Sequence, residues 1–280
     1  TRLRFAGRNT GHSLSPRITV SLPEVARLAA LIDHTLLKPE ATRQDIQQLC
    51  AQARELGFAA VCVNPVWVPL SHAALAETSV KVATVIGFPL GANESATKAV
   101  EADLAVREGA DELDMVAALG HIRAGDWIYV SHDIAAVVRA AAGRPVKVIL
   151  ETALLDAGQT VRASETALEA GAAFVKTSTG FNAAGGATVQ AVELMHRAVG
   201  SRLGVKASGG IRDCATALRM LAAGATRLGT SSGVRMARCL DHDPTPLAEL
   251  VQHPELHATH CQTAPMAAGA ARSAVESKSY

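Results

Sequence analysis

The sequence predicts an α/β protein with the (β/α)8 TIM-barrel fold and an extra N-terminal helix. One theme repeats along the chain: a short apolar run, a turn rich in Gly, Asn, Ser or Thr, and a longer amphipathic stretch. The apolar runs are nearly continuous, as in parallel strands that are buried on both faces. There are eight such runs, and eight parallel strands close a barrel.

The predicted strands share an apolar core and a following turn. They are Ala30–His34, Ala59–Val63, Lys81–Ile86, Glu112–Met115, Val146–Leu150, Phe174–Thr177, Gly204–Lys206 and Arg227–Gly229. A doubly wound open sheet is the competing architecture. That fold usually carries a phosphate fingerprint after its first strand, and the residues after Asp33 have none. The barrel is therefore favoured.

Helix signals fall between the predicted strands. Thr42 followed by Asp45 has the form of a capping box, and Asn93 precedes an Ala-rich run. Ser21 and Glu24 predict an additional helix over 22–29, which would close the bottom of the barrel. Glycines typical of helix C-termini follow four of the predicted helices, at Gly57, Gly109, Gly171 and Gly224.

The length and composition indicate one large domain. The chain has 280 residues, 49% of them hydrophobic, and we expect a disordered extension over 1–20, a single catalytic domain over 21–262 and a flexible tail over 263–280. Lys and Arg number 27 against 26 Asp and Glu, which argues against nucleic-acid and membrane partners. The five scattered cysteines lack any CxxC pair, a pattern typical of the reducing cytoplasm.

Charged residues end several predicted strands, where barrel enzymes place their active sites. They are Asp33, Asp114, Glu151, Lys176 and Lys206. Lys176 and Lys206 end consecutive strands, so their ammonium groups would lie close together. Burial and like-charge repulsion both lower the pKa of a lysine, which favours a neutral amine able to form a Schiff base. The alternative is that each lysine simply pairs with a carboxylate at the barrel rim.

Asp114 is the predicted partner of these lysines. Leu113 and Met115 flank it, so strand alternation turns its side chain to the opposite face, toward the barrel interior. There it would stabilise Lys206 as a cation and pass protons to the substrate. A plain buried salt bridge is the alternative interpretation.

Two turns near the end of the predicted barrel are typical of phosphate sites. Ser208–Arg212 and Gly229–Gly233 follow the seventh and eighth strands, where barrels frequently bind phosphate through backbone N–H groups. Thr177–Gly180 would supply further donors, and Gly185 with Gly186 would allow a close approach of the next loop.

A metal site is not expected. His253, His257, His260 and Cys261 resemble metal-ligand spacing, but no HExxH motif accompanies them. From the residues we predict no metal.

Four segments together resemble the deoxyribose-phosphate aldolase family, and the similarity runs over about 31–233. The segments are Asp33-His34-Thr35-Leu36-Leu37, Glu112-Leu113-Asp114-Met115-Val116, Val175-Lys176-Thr177-Ser178-Thr179-Gly180-Phe181 and Val205-Lys206-Ala207-Ser208-Gly209-Gly210. The resemblance implies a class I aldolase that reversibly cleaves 2-deoxy-D-ribose 5-phosphate to D-glyceraldehyde 3-phosphate and acetaldehyde. It implies a small phosphorylated sugar as partner and no metal or organic cofactor. A homodimer is a candidate assembly.

The resemblance also assigns roles by position. Lys176 matches the Schiff-base lysine, Lys206 the lysine that perturbs its pKa, and Asp114 the proton-relay acid. Phe181 stands where some family members have a lysine, which removes a positive charge from the phosphate site. Tyr280 matches a C-terminal tyrosine that enters the active site in certain members. The remaining implied contacts to phosphate are Gly180, Gly209, Gly210, Gly229, Ser231 and Ser232, and the implied pocket-lining residues are Asp33, Thr35 and Lys147.

Two other functions remain open from the sequence. Another Schiff-base barrel aldolase or a transaldolase would share the lysine and use a different donor. A non-catalytic sensor of phosphorylated ligands would share the scaffold and perform no chemistry, because a fold alone never proves a reaction.

Overall fold

The computed structural model describes residues 27–240 and 245–253, and the parallel strands run in chain order around a barrel. The strands are β1 (Ile32–Leu36), β2 (Ala60–Val63), β3 (Lys81–Ile86), β4 (Glu112–Val116), β5 (Val146–Ile149), β6 (Phe174–Lys176), β7 (Gly204–Ser208) and β8 (Arg227–Thr230). The helices are α1 (Arg43–Leu56), α2 (Val68–Leu75), α3 (Ser95–Arg107), α4 (Leu119–Ala124), α5 (Trp127–Ala140), α6 (Ala157–Glu169), α7 (Val189–Val199), α8 (Cys214–Ala222), α9 (Gly233–Leu240) and α10 (Leu247–Gln252).

The sheet closes because the first and last strands pair. β1 runs parallel to β8, with Asp33 opposite Gly229, and each remaining strand pairs with its neighbour in the sequence. The predicted (β/α)8 barrel is confirmed. β1 begins two residues later than predicted, because Ala30 and Leu31 belong to a 3-10 turn over Leu28–Leu31.

Most of the predicted helix boundaries hold. The Thr42 side chain accepts from the Asp45 N–H and the Asp45 carboxylate accepts from the Thr42 N–H, which confirms the capping box. Gly57 ends α1 in the left-handed conformation, with φ of 67°. Helix α3 begins at Ser95 with Glu94 as its N-cap, so the start predicted at Asn93 is displaced.

The predicted N-terminal helix over 22–29 is described only at its end. Leu28–Leu31 forms a 3-10 turn whose leucines are buried in the core between barrel and helices. The predicted extension over 1–20 and the tail over 263–280 lie outside the described residues. No helix within residues 27–240 and 245–253 is both long and apolar enough to cross a membrane.

The barrel interior has an apolar half and a charged half. Alternate residues of β2 and β3, with Leu37 just after β1, form a small apolar cluster that is separate from the main core: Leu37, Ala60, Cys62, Ala83 and Val85. Alternate residues of the strands from β4 round to β1 carry the buried charges, among them Asp114, Lys176 and Lys206. Strand alternation thus turns the predicted charged residues into the barrel.

Candidate active site

Three lysine side chains converge on one carboxylate at the centre of the barrel. Lys147 donates from Nζ to Asp114 Oδ1 at 2.8 Å. Lys176 and Lys206 donate from Nζ to Asp114 Oδ2 at 2.8 and 2.7 Å. The structure therefore brings together Lys176, Lys206 and Asp114, the three residues predicted to act on the substrate.

Strand register accounts for this convergence. Lys176 in β6 lies opposite Lys206 in β7, and Asp114 in β4 lies opposite Lys147 in β5. Each side chain alternates with apolar neighbours that face the helices, so all four point into the barrel. Short, mostly apolar strands with charged residues at inward positions thus build the cluster.

A second set of ion pairs supports the first. Lys206 Nζ lies 2.5 Å from Asp33 Oδ2, and Arg227 donates to Asp33 Oδ1 at 2.7 Å. Glu112 receives Lys147 Nζ at 2.6 Å and Arg227 at 3.2 Å. The cluster therefore continues as one network from β4 to β1, and each carboxylate in it has two or more basic partners.

The charges of this network do not balance. Within the described part of the chain it joins four basic side chains, those of Lys147, Lys176, Lys206 and Arg227, to three carboxylates. A buried group without full compensation relieves the cost by changing its protonation state. One of the four bases is thus under pressure to lose its proton.

The pKa values identify Lys176 as that base. Burial lowers the pKa of Lys176, and the charge of Lys206 lowers it further against the opposing attraction of Asp114. Burial also acts to lower the pKa of Lys206, but Asp114 and Asp33 outweigh it and the pKa is raised. The pKa of Lys147 is likewise raised, because Asp114, Asp33 and Glu112 outweigh its burial and its repulsion by Lys206.

The carboxylates stay ionised for the same reason. Burial alone would raise the pKa of Asp114, but the three lysines bring it well below its ordinary value. Burial would also raise the pKa of Asp33, but the positive charges of Lys206, Lys147 and Arg227 outweigh it and lower that pKa.

Lys176 also differs from the other two lysines in exposure. Its side chain is 3% exposed, whereas those of Lys147 and Lys206 are 0% exposed. Lys176 is therefore both the most readily neutralised and the most accessible of the three lysines.

The predicted phosphate loops lie at the carboxyl ends of the last three strands. Gly180, Gly209 and Gly210 have φ of 82°, 88° and 77°, which side-chain-bearing residues rarely adopt. A Cβ at Gly186 would lie 2.3 Å from the Gly209 carbonyl oxygen, and Ala187 N–H donates to that oxygen at 3.0 Å. The predicted close approach of the Gly185–Gly186 loop is confirmed, and it joins the loops that follow β6 and β7.

The other residues implied by the resemblance occupy varied surroundings. Gly229 lies within β8, and the exposed Ser231 belongs to the turn after it, where Ser232 N–H donates to Thr230 Oγ1 at 2.9 Å. Thr35 donates its hydroxyl to the Asp33 carbonyl at 2.9 Å. Lys147 and Asp33, both implied to line the pocket, have no side-chain exposure and belong to the ion-pair network. Tyr280 lies outside the described residues.

Sequence reasoning missed several polar groups in the barrel. Glu112 and Arg227 begin β4 and β8 and complete the ion-pair network. Glu112 precedes Asp114 by two positions, so strand alternation was an available signal for its inward direction. Ser178 and Ser208 follow the lysines by two positions, and their buried hydroxyls have no partner in the described residues.

Phe181 gives the mouth of the site an aromatic contact where some family members have a lysine. Its ring meets Phe88 edge to face, with centroids 5.1 Å apart, and it remains 45% exposed. Phe88 also packs against the apolar half of the interior.

Among the described residues, no group of His, Cys, Asp and Glu is arranged to hold a metal ion. His257, His260 and Cys261 lie outside them.

Comparison with known proteins agrees with this geometry. The model of the DeoC/LacD family of aldolases matches residues 27–238. The deoxyribose-phosphate aldolase of Carboxydothermus hydrogenoformans is 54% identical over 218 residues, covering 76% of this chain and 95% of that protein. The deoxyribose-phosphate aldolase 1 of Bacillus licheniformis is 53% identical, covering 78% and 97%.

A solved structure is similar over the same region. The deoxyribose phosphate aldolase of Aeropyrum pernix, described as a tetramer, superposes with a TM-score of 0.71 and 36% identity, covering 77% of this chain and 91% of that chain. Both the sequence and the architecture match over most of the chain, from the start of the barrel to α9. The chain therefore belongs to the DeoC/LacD family of aldolases.

Proposed function

We propose that this protein is a class I deoxyribose-phosphate aldolase in which Lys176 forms the Schiff base. One observation carries the proposal: Lys176 is a buried amine of lowered pKa in a network that holds one positive charge too many. A neutral amine at that position is the nucleophile that attack on an aldehyde requires. The relatives that share half or more of the aligned residues bear the same activity in their names.

The first step joins the enzyme to the substrate. Neutral Lys176 Nζ attacks C1 of the open-chain sugar aldehyde, and the carbinolamine then loses water to give an iminium ion. Asp114 Oδ2, which accepts hydrogen bonds from Lys176 and Lys206, lies where it passes protons between the amine and the leaving oxygen. Its negative charge also stabilises the iminium.

The second step breaks the carbon–carbon bond. Asp114, directly or through water, takes the C3 hydroxyl proton. C3 becomes a carbonyl, the C2–C3 bond breaks, and its electron pair moves into the iminium to form an enamine. Glyceraldehyde 3-phosphate leaves. The proton then returns from Asp114 to C2 of the enamine, and water hydrolyses the resulting iminium to release acetaldehyde and neutral Lys176. Lys206 remains a cation throughout and keeps the pKa of Lys176 low.

The loops after β6, β7 and β8 are the proposed phosphate site. Gly180, Gly209, Gly210 and Gly229 would allow the backbone to approach the anion closely, and Ser231 is an exposed hydroxyl at the same rim. The aromatic Phe181 adds no charge there. Phosphate binding would therefore depend mainly on backbone N–H groups.

Product analysis tests this function. Purified wild-type protein is incubated with 2-deoxy-D-ribose 5-phosphate, and acetaldehyde and glyceraldehyde 3-phosphate are each measured by a coupled reductase. We expect both products in equal amounts from the wild type and neither from Lys176→Met. Binding without turnover would support a sensor, and release of a three-carbon donor from a longer sugar phosphate would support a transaldolase.

A homodimer in the cytoplasm is the proposed assembly and location. Exposed apolar side chains on the neighbouring helices α3 and α5, Val100, Leu104 and Ile128, support self-association. Cys50, Cys62 and Cys214 are free, as in a reducing compartment, whereas Cys239 is disulfide-bonded and counts against one. Sedimentation velocity of the full chain and of Val100→Glu tests the assembly, and a wild type that sediments as a monomer would contradict it.

A further inference from the structure

Glu151 occupies a strained position just beyond β5. Its φ and ψ are 50° and 58°, in the left-handed region that side-chain-bearing residues rarely adopt, and the residue is 1% exposed. Leu150 N–H donates to the Lys176 carbonyl and Thr152 N–H to the Thr177 carbonyl, both at 2.9 Å. Glu151 is therefore an extra residue between two consecutive ladder bonds, as in a β-bulge, and bulges redirect side chains.

The redirected carboxylate reaches the loop after β6. Thr179 donates its hydroxyl to Glu151 Oε2 at 2.5 Å and its N–H to Oε1 at 3.3 Å. Phe181 N–H in turn donates to Thr179 Oγ1 at 3.1 Å. This chain of hydrogen bonds fixes the backbone on both sides of Gly180, whose left-handed conformation brings it against Gly209.

The strain at Glu151 implies a purpose beyond packing. A residue persists in an unfavourable backbone conformation only where its surroundings demand it, and such residues cluster at functional sites. Here the left-handed backbone goes together with a carboxylate that faces the loop and forms hydrogen bonds with Thr179. The same loop carries Gly180, a member of the proposed phosphate site.

We propose that Glu151 is a positioning residue that sets the substrate's phosphate affinity by holding the Thr179–Phe181 turn against the loop after β7. This inference rests on the proposed function, because it takes the phosphorylated sugar as the substrate. Among the described residues, Glu151 bonds to Thr179 and forms no hydrogen bond or ion pair with Lys176, on which its charge acts only through space. Its loss should therefore weaken phosphate binding far more than it alters the chemistry at Lys176.

Paired variants separate this role from a structural one. Glu151→Ala removes the carboxylate, Glu151→Gly also relieves the left-handed backbone, and Glu151→Gln keeps an acceptor of the same size. Thr179→Val removes the hydroxyl that reaches Glu151, and Thr179→Ser is its matched control. For each protein, kcat and KM are measured with 2-deoxy-D-ribose 5-phosphate and with unphosphorylated 2-deoxyribose, and Tm is measured in parallel.

The expected result is a change in the preference between the two sugars. Displacing a binding group by about 1 Å can cost about a hundredfold, so Glu151→Ala, Glu151→Gly and Thr179→Val should raise KM for the phosphorylated sugar about ten- to a hundredfold. Their kcat/KM for 2-deoxyribose should change by less than about threefold, since that sugar makes no phosphate contact. Glu151→Gln and Thr179→Ser should retain most of the wild-type preference.

Two results would overturn the inference or its basis. An equal loss of kcat/KM on both sugars, or an unchanged preference in folded Glu151→Ala and Thr179→Val, contradicts the positioning role while leaving the aldolase function standing. A wild type that cleaves neither sugar contradicts the proposed function itself. If Glu151→Ala does not fold, Thr179→Val decides the question, since it alters one hydroxyl at almost constant volume.

Discussion

Replacing Lys206 with methionine should shift the pH dependence of catalysis to higher pH. Lys206 and Lys176 both bond to Asp114 Oδ2, at 2.7 and 2.8 Å, which places their nitrogen atoms near each other. At about 5 Å and an effective dielectric constant of about 20, two unit charges repel by about 3 kcal/mol. This repulsion lowers the pKa of Lys176 in the wild type, together with burial.

The charge balance of the network points in the same direction. Without Lys206, three basic side chains face three carboxylates, so the network no longer favours loss of a proton from Lys176. Asp33 keeps Arg227 at 2.7 Å and Asp114 keeps two lysines, so the variant leaves no buried carboxylate unpaired. We therefore expect Lys206→Met to fold.

The sign of the effect follows from the form of lysine that reacts. Neutral Lys176 attacks the aldehyde, so the rate rises as pH rises through its pKa, and a raised pKa moves this rise to higher pH. An energy of about 3 kcal/mol corresponds to about two powers of ten in the neutral fraction. The variant should lose about a hundredfold in kcat/KM at pH 7, with a smaller loss at alkaline pH.

The assay is a profile of kcat/KM against pH for cleavage of 2-deoxy-D-ribose 5-phosphate. Lys98→Met is the matched control, because Lys98 is also fully buried and ion-paired, to Asp133 at 2.6 Å, but joins α3 to α5 outside the barrel interior. It should lower stability and leave the profile in place. A profile of Lys206→Met that coincides with the wild type, or a loss of equal size at every pH, would refute the electrostatic role.

Three further changes test other parts of the site. Asp114→Asn should lower kcat by a factor of about 10² to 10⁴, as expected for loss of a proton-transfer group. Because Asp114 raises the pKa of Lys176, the variant's rate should also begin to rise at lower pH. A shift of this rise to higher pH would be inconsistent with the assignment. Gly186→Ala places a Cβ 2.3 Å from the Gly209 carbonyl oxygen, so it should raise KM and lower Tm in enzyme kinetics and thermal melts. Gly120→Ala is the control: its Cβ meets nothing within 4 Å, and both values should stay unchanged. Phe181→Lys adds a cation at the rim and should lower KM for the phosphorylated sugar, with a smaller effect at high salt because salt screens exposed charges. A KM that does not change would place the phosphate elsewhere.

The barrel and the centre of the site follow from local patterns in the sequence. Charged residues inside apolar strands are rare because burial is costly, so Asp114, Lys176 and Lys206 stand out without any structure. Strand alternation then gives the direction of each side chain. The predicted capping box at Thr42 and the close approach at Gly186 are confirmed for the same reason, since each depends on residues near in sequence or on a glycine's lack of a side chain.

Other features depend on contacts that the sequence does not display. β1 was predicted two residues early, because the apolar Ala30 and Leu31 satisfy the same pattern in a 3-10 turn. Glu112 and Arg227 meet across the barrel from strands far apart in the chain. The left-handed conformation of Glu151 accompanies the irregular pairing just beyond β5 and the hydrogen bonds to Thr179, and no local pattern around this residue predicts it.

Borohydride trapping tests most directly whether Lys176 forms the covalent intermediate. The wild type and Lys176→Ala are each incubated with 2-deoxy-D-ribose 5-phosphate and sodium borohydride, and the adduct is located by peptide mass mapping. We expect a reduced two-carbon adduct on Lys176 and no adduct in the variant. An adduct on Lys206, or a wild type that turns over the sugar without any trapped lysine, would contradict it.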